Sequence, residues 1–271
     1  MSSSSLLNIG SRALAANMAA LHVTGNNIAN VNTPGYSRQT IQLESSGGQL
    51  SGNGFFGKGV EVATVQRAHS DYLTRQAVLT QSVAAADSTR SEKLALLEPI
   101  FASGDNGIGA GINNALNAFA DVVSMPRDLS ARQVVIARAD EMTARLREAS
   151  SRLDLLGEGL NEELRLGVEA VNSRASQIAS LNSQISALQG SGHTPNDLLD
   201  QRDQLVSEIN SYVNTTSIPS PDGSISVFVG GTQPLVLAGH SMKLSTDRDL
   251  FDPTKLGLAI ETNAGPAALN D

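Results

Sequence analysis

Residues 132–189 read RQVVIARADEMTARLREASSRLDLLGEGLNEELRLGVEAVNSRASQIASLNSQISALQ. Within this stretch Val135, Ala139, Met142, Leu146, Ala149, Leu153, Leu156 and Leu160 follow one another at alternating four- and three-residue steps. That spacing keeps one helix face apolar over more than three heptads, the signature of a coiled-coil seam. The pattern resumes at Leu164, Val168, Val171, Ala175 and Ile178 after two successive four-residue steps around Gly167, a stutter that locally unwinds a supercoil. Fully helical, the segment would span ~87 Å at 1.5 Å per residue, which predicts a rod-like body.

A second, shorter seam lies at the N-terminus, where Leu7, Leu14, Leu21 and Ile28 recur at a strict seven-residue step with Met18 as a further seam position. An amphipathic helix of this length is marginal alone and needs a partner in cis or in trans. It is predicted to end at Asn26-Asn27-Ile28-Ala29-Asn30-Val31-Asn32-Thr33-Pro34-Gly35-Tyr36, where the Pro-Gly pair suits a type II turn. Four Asn in seven residues are wasteful for a helix unless their amides make specific hydrogen bonds, and buried Asn in packed helices fixes register. The plainer reading is a polar helix terminus leading into a turn.

Alternation at Thr40–Glu44 and Gly59–Val62 predicts two strands of a long-looped β-hairpin (about 38–65). Helical patterns through Leu79, Val83, Ala86, Leu94 and Leu97, and through Ile112, Leu116, Phe119 and Val123, stop at Pro99 and Pro126. Beyond Gly190-Ser191-Gly192, the run Thr194-Pro195-Asn196-Asp197 predicts a capped helix through Leu198, Leu205 and Ile209, with Thr194 as cap. From about 215 the texture turns to short β runs at 224–229, 234–237 and 257–260, with Ala264–Leu269 continuing them. The fold class is therefore mainly α and multidomain: an elongated helical bundle or coiled coil with a β-hairpin, followed by a β-rich domain. The predicted division is a terminal assembly helix with its Asn-rich turn (1–40), a helical rod-like domain (41–214) and a β-rich outer domain (215–271).

Composition narrows the chemistry. The 271 residues hold 19 Lys+Arg against 27 Asp+Glu, a net charge of −8, with basic residues scattered singly; neither nucleic acid nor an anionic membrane is an expected partner. Zero Cys removes disulfides, thiolate metal sites and Cys nucleophiles. His22, His69, His193 and His240 form no metal-ligand spacing. Gly52-Asn53-Gly54-Phe55-Phe56-Gly57-Lys58-Gly59 nearly satisfies a phosphate loop but lacks the final hydroxyl residue and leads into a strand. Gly107-Ile108-Gly109-Ala110-Gly111 opens a helix without a preceding strand or a Lys. Asp197, Asp200 and Asp203 sit at three-residue steps on one helix, among Gln201, Arg202 and Gln204, and read as a solvated or interface-facing surface with Asp–Arg pairing. No catalytic residue, cofactor or metal site is predicted, so the chain is not expected to be an enzyme.

Asn26 to Tyr36 resembles the N-terminal signature of flagellar axial proteins, shared by rod, hook and hook-associated members. Gly35-Tyr36-Ser37-Arg38-Gln39, the run from Gly57-Lys58-Gly59-Val60 to Arg67, and above all Pro195-Asn196-Asp197-Leu198-Leu199-Asp200-Gln201-Arg202-Asp203-Gln204-Leu205 resemble the first hook-associated branch of that superfamily. The resemblance implies a structural subunit of the hook–filament junction, assembled as a ring of identical copies. It implies contacts with hook protein and the next hook-associated junction protein, a flagellar export chaperone, and an extracellular place in the bacterial flagellum. Export would run through the flagellar type III apparatus without a cleaved signal peptide, and no basic residue precedes Arg12. The implied assembly interface comprises Leu7, Leu14, Met18, Leu21, Ile28, Asn26, Asn27, Asn30, Asn32, Thr33, Pro34, Gly35 and Tyr36. Members of the family pair the N-terminal helix with a C-terminal one, and this sequence shows no C-terminal heptad. Either it is an N-terminal portion or the closing helix comes from elsewhere. A hook or distal rod protein is the related alternative; a coiled-coil sensor or adaptor is the alternative from a different class.

Overall fold

A computed structural model describes residues 3–51, 54–101, 104, 107–190, 194–249, 252, 254–262 and 265–269. Gly52 and Asn53 of the Gly-rich loop, Ser191, Gly192, His193 and Ala264 lie outside them. The chain forms two units, one of residues 1–82, 169–244 and 260–271, the other of 83–168 and 245–259.

The first unit begins with α1 (Ser3–Ala29). The Asn-rich run ends it, and Tyr36 N donates to Thr33 O at 3.2 Å with Gly35 at φ +79°, the type II turn that Pro34-Gly35 predicts. Gly35 is required twice over, because a Cβ there would also sit 2.9 Å from Gln204 Cβ. Strand β1 (Gln39–Ser45) pairs antiparallel with β4 (Val60–Arg67), Gln39 opposite Arg67, with a bulge after Gln42. Their connection is not a plain loop: β2 (Gln49–Ser51) and β3 (Gly54–Phe56) form a small hairpin of their own. The segment that nearly matches a phosphate loop leads into strand β4, as its sequence predicts. Helix α1 lies on the β1–β4 pair, where Arg12 reaches Ser46 and Glu61, and Ile9 lies against Gly59.

Helix α4 (Leu129–Gly190) contributes its last third, from Glu169 on, to this unit. The apolar stripe resumed after the stutter is buried at Val171, Ala175, Ile178 and Ile185, with Asn182 in the same register. A coiled coil would place a second helix along the whole seam; here it meets strand backbone and α5 (Asn196–Asn210). Asn182 Nδ2 donates to Ile225 O and Ala238 O at 2.8 and 2.7 Å and its Oδ1 accepts from Ile225 N at 3.1 Å. Arg174 bonds Glu208 at 2.7 Å and stacks 5.5 Å from the centre of the Tyr212 ring. The strands there are β5 (Thr215–Pro219), β6 (Ile225–Val229), β7 (Gln233–Leu237) and β8 (His240–Ser241), a four-stranded antiparallel meander. Its inward residues Ile225, Val227, Val229, Leu235 and Val236 complete the core.

The second unit holds the last part of α2 (Asp71–Leu97), α3 (Ile108–Ser124) and α4 up to Val168. Helix α3 buries Gly111, Ala115 and Ala118, not the large residues at its predicted face: Leu116, Phe119 and Val123 are exposed. Small residues let two helices approach closely, and Arg145 and Met142 of α4 lie against Gly111. Arg145 also donates to Gly107 O at the start of α3. Lys93 of α2 bonds Glu163 of α4 at 2.6 Å. Leu146, Leu153 and Leu160 of the predicted seam stay about 40 % exposed. Strands β9 (Leu244–Arg248), β10 (Leu256–Thr262) and β11 (Gly265–Ala268) form a sheet in the order β11-β10-β9. Among the described residues no helix is long and apolar enough to cross a membrane.

Candidate functional site

Helix α1 is amphipathic against one surface only. Ala16 is its buried residue, while Leu7, Leu14, Leu21 and Ile28 are between 62 and 73 % exposed and Met18 is exposed beside them. The seven-residue step places all four on one slowly drifting face, and the face toward β1 and β4 is the small one. Four large apolar side chains in a row are more than the scattered exposure common on protein surfaces.

At the end of this stripe the Asn residues divide. Asn27 is turned inward: its Nδ2 donates to Gln39 O and its Oδ1 accepts from Gln39 N, both at 2.8 Å, and Tyr36 Oη donates to the same Oδ1 at 2.9 Å. Asn30 Nδ2 donates to Asn26 O at 3.0 Å and its Oδ1 accepts from Thr33 Oγ1 at 3.2 Å, closing the turn locally. The side chains of Asn26, Asn32, Thr33 and Pro34 face solvent.

The Asp-rich face of α5 is not a solvated surface. Asp200 and Arg202 are buried and Asp203 is half-buried, whereas Asp197 stays exposed. Asp200 Oδ2 accepts from Ser37 N at 2.8 Å and its Oδ1 from Arg67 Nη1 at 2.9 Å. The same Arg67 Nη1 lies 2.7 Å from Asp203 Oδ2. This is an ion-pair contact without hydrogen-bond alignment, since that oxygen is buried and otherwise unsatisfied. Gln39 Nε2 donates to Asp197 Oδ1 at 3.0 Å, and Asn196 Nδ2 to Val65 O at 2.8 Å. His69 Nε2 sits 3.0 Å from Asp71 Oδ1 and 3.8 Å from Asp203 Oδ2. Arg202 donates to Gly223 O at 2.7 Å and pairs with Asp203. Burial pulls its guanidinium down from the usual arginine value, with Asp203 opposing. Burial first, then the charges of Asp197 and Asp200, push the Tyr36 phenol up.

The predicted Asp–Arg pairing therefore exists, but its main cation comes from the end of β4, 133 residues away. Asn196, Arg67 and Arg202 were not among the residues singled out as a site. All three lie in the runs that carry the family resemblance, but neither those runs nor the charge around the Asp triplet names a distant partner. The helix starts one residue later than predicted: Pro195 takes the N-cap position in place of Thr194, Asn196 is the first helical residue, and no side chain caps the helix.

The carboxylates of Asp200 and Asp203 are paired with Arg67 and Arg202, and among the described residues no group of three or more His, Asp or Glu is placed to hold a metal ion. What the arrangement does is fix the turn after α1 and the end of β4 to α5.

Residues 94–271 match the family model described as the flagellar hook-associated protein FlgK helical domain, and residues 7–36 match that of the flagella basal body rod protein. The chain is similar to flagellar hook-associated protein 1 of Salmonella typhimurium, 32 % identical over 96 % of this chain and 48 % of that protein. The protein of the same name from Escherichia coli is 30 % identical over 97 % of this chain and 48 % of its own length. That of Bacillus subtilis is 32 % identical over 95 % and 55 %. The chain spans about half the length of these curated relatives. Among solved structures it is similar to the flagellar hook junction protein FlgK from Burkholderia pseudomallei. That likeness has a TM-score of 0.63 and 32 % identity, over 71 % of this chain and 33 % of that one.

Proposed function

The chain belongs to the flagellar hook-associated protein FlgK family, and from that premise we propose that it is a structural subunit joining hook to filament in the extracellular bacterial flagellum. It assembles as a ring of identical copies, with hook protein on one side and the next hook-associated junction protein on the other. It is carried to the flagellar type III apparatus with an export chaperone. Its activity is assembly, not catalysis.

The observation that carries this reading is the exposed apolar stripe of α1. Leu7, Leu14, Met18, Leu21 and Ile28 supply the burial, and the turn Thr33–Tyr36, held by Asn27 and Asp200, sets the angle at which the stripe is presented. Asn26 and Asn32 lie beside it with exposed amides to fix register against neighbouring helices, while Asn30 closes the turn. The stripe is closed by another helix, from a neighbouring copy or from chain beyond these residues.

The test is incorporation. Leu14→Asp and Leu21→Asp each place a carboxylate in the stripe without touching either core, so circular dichroism and melting of the rest of the chain stay unchanged. Incorporation at isolated hook ends is lost. Normal incorporation of both variants would sink the proposal. The rod-protein match over residues 7–36 is common ground with a hook or distal rod role, whereas the match over 94–271 favours the junction.

A further inference from the structure

The β2–β3 hairpin carries an apolar pair that nothing in the chain covers. Leu50 and Phe55 are directly opposite each other in the ladder and so emerge on the same face. They are 79 and 71 % exposed, and the Phe55 ring rests against Gly48, where a Cβ would overlap it. Two three-residue strands are marginal by themselves, and a paired, outward apolar face on so small an element is unlike a lone exposed side chain.

Elsewhere on the same unit lies a mainly apolar groove of about 660 Å³ between α1 and β1, lined by Val23 and Ile41 with the exposed Ile28 and Val31 at its rim and Arg38 and Gln39 beside them. Ile28 belongs to both this groove and the α1 stripe, so the groove continues the surface already assigned to assembly.

We propose that the Leu50–Phe55 pair of one copy seats in the α1–β1 groove of the next copy, a head-to-tail contact that sets the lateral spacing of the ring. The inference rests on the assembly reading above. A tip in a groove is heterologous, because each copy uses one surface to give and another to receive, and repetition of such a contact closes a ring or winds a helix. The area fits an array and not a free dimer. Two side chains of this size offer roughly 300 Å², well under the ~800 Å² per partner of a stable interface. One contact therefore fails in dilute solution, and holds where each copy makes two and the α1 stripe closes as well.

The chain has no Cys, so engineered thiols report cleanly. The complete protein is prepared as two single variants, Leu50→Cys at the tip and Thr24→Cys on the groove wall. These are mixed, assembled on isolated hook ends and oxidised mildly. A disulfide forms only where the Cα atoms come within about 7 Å. The expected product is a covalent dimer containing one of each variant, absent without hook ends. Both variants incorporated without that mixed dimer, or with Leu50→Cys linked only to itself, overturns the tip contact and leaves the assembly reading standing. Failure of the unmodified protein to incorporate overturns that reading and this one with it. In parallel, Leu50→Ser with Phe55→Ser should lower incorporation at least about tenfold at equal concentration with unchanged circular dichroism, whereas undiminished incorporation counts against the contact.

Discussion

Single side chains decide how the N-terminal turn is held, and Tyr36 gives the sharpest test. Its neutral phenol donates to Asn27 Oδ1, and burial together with Asp197 and Asp200 raises its ionisation above the ordinary tyrosine value. The folded state then holds the proton more tightly than the unfolded chain does. The stabilisation is complete below the unfolded value near 10 and is lost as pH rises through the folded one. The chain has three Tyr, and Tyr72 and Tyr212 are more than half exposed. Alkaline titration followed by ultraviolet absorbance should therefore show a late component that Tyr36→Phe removes, together with part of the stability lost above pH ~10. A titration curve whose alkaline end is the same with and without Tyr36→Phe would contradict it. At this scale the sequence announced that the Asn amides had work to do, but not where. Asn27 uses its amide on Gln39 within the chain, while Asp200 meets a cation from a distant strand. Local spacing carries no information about a partner so remote in the chain, so Asp197, Asp200 and Asp203 read as a solvated or interface-facing surface with Asp–Arg pairing whose distant cation goes unnamed.

Among the elements, α4 was the most legible and also the most misleading. The spacing of Val168, Val171, Ala175 and Ile178 marks the buried stripe correctly. Periodicity, however, reports only that a face is covered, and strand backbone covers it as well as a helix does. The sign of the difference lies at Asn182, in seam register and buried, with three hydrogen bonds to strand backbone. The device recurs: Asn27 bonds both N and O of Gln39, and Asn172 both N and O of Leu244. In each case a helix amide substitutes for a missing strand and satisfies backbone that would otherwise be unpaired. Asn182→Leu separates the two pictures. In a coiled-coil seam an apolar residue at this register stabilises; here it strands Ile225 N, Ile225 O and Ala238 O, at about 1–3 kcal/mol for each group left unsatisfied. The urea midpoint should fall, by an amount on the order of 3 kcal/mol or more. A midpoint that rises would restore the coiled-coil reading. Helix α3 follows the same lesson, since its small residues are covered and its large ones are not.

For the molecule as a whole, the unequal burial of its helices predicts unequal stability. Helix α1 spans 27 residues yet among the described side chains buries only Ala16, and helix propensity without a packed face leaves such a segment close to its unfolding threshold. The last third of α4 contributes Val171, Ala175, Ile178 and Ile185 to a closed core. Amide exchange in the free chain should therefore run much faster across Leu7–Ile28 than across 171–185, because local opening of a sparsely packed element costs far less than global unfolding. Assembly reverses the order of costs. Folding a loose terminal segment only at its destination confines the entropy loss to the place where neighbouring copies offset it. Mixing with hook ends and a peptide supplying the closing C-terminal helix should protect Leu7–Ile28 while leaving 171–185 as slow as before. Protection already complete in the free chain would mean that α1 is closed without neighbours, and the sensor or adaptor reading would gain. Protection that never develops in assembled material would remove the α1 stripe from the interface, and the ring contacts would then have to be sought on another uncovered apolar surface, such as the α3 face carrying Leu116, Phe119 and Val123.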